Sequence, residues 1–175
     1  RALAELAAVA LRHDQTELAR TLSERALNRV DDRPGVARAR ARQLLGASRL
    51  RARETHEALG LLQAAADEYE GLGAHRSLAQ ALDSLGTAHV ALHGYAEAQR
   101  CYARSLELKV AHDDLPGQAI TLGSLGRLAL QRGDLDGAID CFRRDLEIAE
   151  RLGDDEGLAV MANQLGEAWI RSALD

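Results

Sequence analysis

Few residues in this 175-residue chain have types and spacings that chemistry could use. His89 and His93 stand four apart, so on a helix both rings could reach one metal ion. The HExxH pattern that would supply a general base is absent around them, and a packed histidine plus a turn histidine accounts for the pair. Cys101 and Cys141 are the only cysteines and lack CxxC spacing, so two small buried thiols are expected rather than a disulfide. Lys109 follows no glycine-rich phosphate loop. Gly123-Ser124-Leu125-Gly126 is one residue short of a nucleophile elbow and lies inside a helical pattern. Asp113-Asp114 and Asp154-Asp155 occupy equivalent links, where helix capping explains them better than catalysis. No nucleophile–base constellation forms. The expectation is a protein without catalytic residues, without a metal and without cofactors.

Stepping outward to the elements, 46% of residues are hydrophobic but only 3% aromatic. The apolar surface is mostly Ala and Leu, which favour helix. Pro34 and Pro116 are the only prolines, and no sustained period-two alternation suggests a strand. An all-α chain is expected. The formal net charge of -5 weighs against nonspecific nucleic-acid binding. No membrane-length apolar run and no secretory signal are seen, so no membrane partner and a reduced, cytoplasmic setting are expected. Every basic side chain except Lys109 is Arg, which together with the alanine content suggests a bacterial source. The chain opens at Arg1 already in helical pattern, as a piece of a longer protein would.

Self-comparison at a shift of 40 residues gives the organisation. Leu45-Gly46 returns as Leu85-Gly86, Leu125-Gly126 and Leu165-Gly166. Ala58 returns as Ala98 and Ala138, and Leu62 as Tyr102 and Phe142. A weaker first copy carries Leu6-Ala7, Ala19 and Ala26-Leu27, with a link one residue shorter. The copies span about 1–33, 34–73, 74–113 and 114–153, with a terminal half-copy at 154–175, in one domain. Each copy holds two helices. First helices are placed near 2–12, 35–52, 75–92, 116–132 and 156–172, and second helices near 15–30, 55–71, 95–112 and 135–151. Asp114, Asp134 and Asp155 fit helix caps. Gly126 is expected to face Ala138, with Phe142 filling the space beside that contact. One hairpin cannot bury its own apolar face, so neighbours complete the core.

These residues resemble the tetratricopeptide repeat, whose pattern pairs Leu-Gly and a following aromatic with an Ala-x3-Phe step. Leu125-Gly126 with Ala138 and Phe142, Leu85-Gly86 with Ala98 and Tyr102, and Leu165-Gly166 with Trp169 carry the likeness. The period differs: 40 here against about 34 in the family. The longer form is similar to repeats of kinesin light chains, of Leu-Gly-Asn polarity adaptors and of bacterial regulators. The resemblance implies a right-handed α-solenoid of antiparallel hairpins, about four and a half repeats and nine helices. It also implies a protein or peptide partner held along a concave groove lined by the first helices.

Carried over copy by copy, the groove candidates are Arg12, then Arg40, Gln43, Leu50 and Arg51, then Asp83 and Thr87. Arg127 and Gln131 follow, then Asn163, Glu167 and Arg171. The arginines among them predict a locally positive groove suited to an acidic peptide, because the guanidinium fork grips a carboxylate with two bonds. Ordinary solvated arginines are the alternative. Arg38, Arg40, Arg42, Arg49, Arg51 and Arg53 form a denser cluster, read as an Arg–carboxylate surface rather than a phosphate site.

Three functions compete at this level. The first is a protein-interaction scaffold within a bacterial multidomain regulator. The second is a peptide-sensing regulatory domain, and the third an accessory helical domain of an enzyme. The last helix, with Leu158, Val160, Leu165 and Trp169, has no second helix to complete its hairpin. Part of its apolar face should stay uncovered, open to further repeats or to a second copy in a homo-oligomer.

Overall fold

The computed structural model of the chain describes residues 2–30 and 33–172, with side chains as far as Ile170. Asp31 and Asp32 of the first link, and the Arg171 side chain, lie outside the described residues. Among those described there are nine helices and no strand. In chain order they are α1 (Ala2–Arg12), α2 (Thr16–Leu27), α3 (Val36–Arg51), α4 (Thr55–Gly71) and α5 (His75–Ala91). Then come α6 (Tyr95–Ala111), α7 (Leu115–Gln131), α8 (Leu135–Leu152) and α9 (Asp155–Ser172). Most ends fall within a residue of the sequence expectation. The exception is α2, which stops at Leu27 rather than 30. There the Arg29 amide donates to the Ala26 carbonyl at 3.2 Å, a tightened turn that ends the helix early.

Capping follows a recurring Asp-x-x-Gly. Asp114, Asp134 and Asp154 accept hydrogen bonds from the amides of Gly117, Gly137 and Gly157 at 3.0, 3.0 and 2.9 Å. The cap of α9 is therefore Asp154 and not Asp155, which is the first residue inside the helix. A Cβ on any of these glycines would collide with the capping carboxylate. The joints share one more feature: Asp14, Arg53, Gly73, His93, Asp113, Gly133 and Gly153 all have φ between 53° and 75°.

The chain divides into two compact units, Arg1–Gly94 and Tyr95–Asp175. In the first, each helix from α1 to α5 packs on the next, and α1, α3 and α5 also touch across hairpins. Close approach relies on alanine: Ala7, Ala19, Ala39, Ala58 and Ala65 are fully buried. On α3, a Cβ at Gly46 would lie 2.8 Å from Leu62 Cγ and 3.3 Å from the Ala58 carbonyl. Glu68 of α4 ties the start of α3. Its carboxylate accepts from the Gly35 amide at 2.5 Å, Arg38 Nε at 3.1 Å and Arg42 Nη1 at 2.9 Å, with 4% of the side chain exposed.

In the second unit α6 to α9 pack in succession. Phe142, fully buried, lies against Gly126 itself, not beside it, and fills the room a methyl would need. It joins Ala138, Met161, Leu165 and Ala168 in the core that seats α9. Lys109 is buried too, its ammonium donating to Thr121 Oγ1 at 2.7 Å.

Candidate binding face and cleft

The first helices α1, α3 and α5 position the candidate residues of the first unit. Arg12 is exposed. Arg40 pairs with Glu5 at 3.1 Å, and Arg51 donates to the Leu11 carbonyl at 2.5 Å and to Asp14 at 3.2 Å. Gln43 Oε1 accepts from the Tyr69 hydroxyl at 3.1 Å, which fixes the amide against α4. Burial pushes that phenol up to about 12, with the charge of Glu68 adding and those of Arg40 and a Ser77 hydrogen bond opposing. Leu50 and Asp83 are half-buried, and the exposed Thr87 donates to the Asp83 carbonyl at 3.0 Å. Arg49 adds a further pair with Glu54 at 2.9 Å and contacts Glu57. The arginine cluster of α3 is thus largely matched to carboxylates of its own unit.

In the second unit Gln131, Asn163 and Glu167 are exposed. Arg127 is exposed as well, and its guanidinium donates to Ser124 Oγ at 3.1 Å. It stands at the rim of a cleft of about 280 Å3 between α7, α8 and α9. Ile120 and Gly123 of α7, Asp145 and Leu152 of α8, Asp154 just before α9 and Met161 of α9 line it. Asp145 is 4% exposed. Burial is the main cause that pushes its carboxyl up to about 6; Arg127 lowers it and Asp154 raises it further. Sequence reasoning placed Arg127 on this face but missed Asp145 and Asp154. An acid at a place where other copies hold small neutral residues was the available signal.

Cys101 and Cys141 are free and half-buried, and burial raises both thiols above their usual range. On α9, Val160, Trp169 and Ile170 are 46%, 52% and 64% exposed, while Leu165 is buried. Among the described residues no helix is long and apolar enough to cross a membrane.

Residues 77–151 match the family described as tetratricopeptide repeat. Among curated proteins, none matches the sequence. Solved structures do. BtubC (BKLC) from P. vanneervenii superposes with a TM-score of 0.84 at 19% identity, covering 98% of this chain and 72% of that one. A Rap protein complexed with Competence and Sporulation Factor gives 0.84 at 19% identity, over 95% of this chain but only 50% of its own. The kinesin light chain nearly identical TPR-like repeats of Podosopora anserina give 0.80 at 16%, over 99% and 87%. At these identities the likeness establishes the fold. Residues 77–151 thus match the tetratricopeptide repeat family, and the chain carries an α-solenoid fold like that of its structural neighbours.

Proposed function

We propose that the chain is a non-catalytic interaction module that binds a peptide or partner domain on the faces of its first helices. The observation that carries this reading is the exposure of polar and charged side chains on those helices, Thr87, Arg127, Gln131, Asn163 and Glu167. A partner carboxylate would meet Arg40 and Arg51 already paired with Glu5 and Asp14. Such exposed pairs contribute roughly 0–1 kcal/mol, so exchange onto a partner is cheap. Peptides selected on the folded chain by display, then titrated by fluorescence polarisation, test the reading. Arg40→Glu and Arg127→Glu should each weaken an acidic peptide at least about tenfold, as loss and reversal of a charged hydrogen bond implies. Unchanged affinity in both variants defeats the assignment of these faces.

The likeness to the Rap protein complexed with Competence and Sporulation Factor supports a second reading, a regulatory domain that senses a signalling factor. A short selected peptide that raises the melting temperature would favour it. Capture of only folded partners would favour the scaffold.

A further inference from the structure

Ala26, Ala65 and Ser105 stand at repeat-equivalent places on α2, α4 and α6, and none is more than 9% exposed. α8 places Asp145 there, equally buried at 4%. Three copies pack with a small neutral side chain, so the repeat itself does not call for a carboxylate. Among the described residues no hydrogen bond or ion pair reaches Asp145; its neighbouring charges are Arg127 and Asp154. A carboxylate that lines an open cleft with no donor from its own chain is placed to accept one from outside.

Room for such a donor is present. A Cβ on Gly123 would lie 3.1 Å from Asp145 Oδ2 and 3.4 Å from a nitrogen of Arg127, so the missing side chain opens the cleft onto the carboxylate. Two acids against one arginine leave the cleft negative by one charge. Arg127 is drawn to the rim by Ser124. Ile120, Leu152 and Met161 supply apolar walls along which the methylene stem of a long cation can lie.

We propose that the α7–α8–α9 cleft receives an arginine side chain of a partner peptide, its stem on Ile120, Leu152 and Met161 and its guanidinium on Asp145 and Asp154. This deepens the peptide-binding reading and rests on it. Arginine fits better than lysine because its planar fork can reach two carboxylate oxygens at once. Binding should strengthen as pH rises through about 6, where Asp145 ionises between Arg127 on α7 and Asp154 ahead of α9.

Met161 is the single methionine of the chain, so a methyl-labelled sample gives one resonance inside the cleft. Titration with N-acetyl-arginine amide at pH 7.5 should move that resonance saturably, and N-acetyl-citrulline amide, its neutral counterpart, should not. Asp145→Asn should weaken the arginine probe about tenfold or more, the loss of one charged hydrogen bond. Asp145→Ser, which restores the residue of the preceding copy, should do the same, with helical circular dichroism confirming that both variants fold. Equal response to both probes, no response to either, or full affinity in a folded Asp145→Asn overturns the proposal. If display peptides bind but neither Met161 nor the Asp145 variants respond, the cleft fails and the scaffold reading stands. If the arginine probe binds and no peptide is ever selected, the cleft stands and the scaffold reading falls.

Discussion

Glu68 in the first unit and Asp145 in the second are both buried acids on second helices, and their surroundings differ completely. Glu68 receives a backbone amide and two arginines. Asp145 receives none among the described residues and has its carboxyl pushed up to about 6. Burial alone therefore does not tell what a carboxylate is for; its donors do. The first is a strut that fixes α3 on α4. The second lines an open cleft with no donor of its own.

The largest effect should come from breaking the strut. Glu68→Ala leaves Arg38 and Arg42 facing each other at 14% and 27% exposure. A loss of about 3 kcal/mol is expected, at the low end for a broken buried pair because the arginines reach water. Urea unfolding measures it, and a loss below about 1 kcal/mol would mean the network is ornamental.

Asp145→Asn should move stability the other way. The native carboxyl sits near 6, above its ordinary 3.8, so the folded state holds the proton more tightly than the unfolded one. Stability attributable to this group is greatest below pH 4, falls between about 4 and 6, and is level above. The difference between wild type and Asp145→Asn isolates that slope, on the order of 1–3 kcal/mol. A pH-independent difference would show that Asp145 titrates normally.

A smaller contrast separates the two helix contacts. Gly126→Ala must move the rigid Phe142 ring, whereas Gly46→Ala meets Leu62, which can turn. Costs of about 2 and about 1 kcal/mol are expected, from overpacking less the gain in helix propensity. The reverse order in thermal melts would place the tighter seam in the first unit. The cap is as small as the Gly46 effect: Asp134→Ala should cost about 1 kcal/mol through the loss of the Gly137 bond, read as lowered helix protection in hydrogen exchange.

Much of the fold was legible because its signals are periodic. Leu-Gly, Ala and the aromatic return together, and packing forces each to the same seam, so helix limits followed within a residue almost everywhere. What failed was local. The early end of α2 depends on a tightened turn that no breaker residue marks. Asp154 and Asp155 are chemically alike, and the Asp-x-x-Gly spacing shared with Asp114 and Asp134 is what singles out Asp154. Of the residues that line the cleft, Arg127 was named from the sequence as a groove candidate. Asp145 was not, because a repeat pattern displays what recurs, and only this copy has an acid where the others have Ala26, Ala65 and Ser105. Likewise Arg40 and Arg51 read as part of an Arg–carboxylate surface, but their acids, Glu5 and Asp14, lie 35 and 37 residues away and were not named.

The left-handed residue at each of seven joints has a consequence for how such chains change length. Arg53, His93 and Gly133 mark one kind of corner, and Gly73, Asp113 and Gly153 the other, yet all turn the backbone alike. A duplicated or deleted cassette of one hairpin would therefore rejoin at a corner that already exists. Genes encoding this architecture can lengthen or shorten in whole units without inventing a new bend, while a cut at any other phase would leave a helix ending where no residue is shaped to turn.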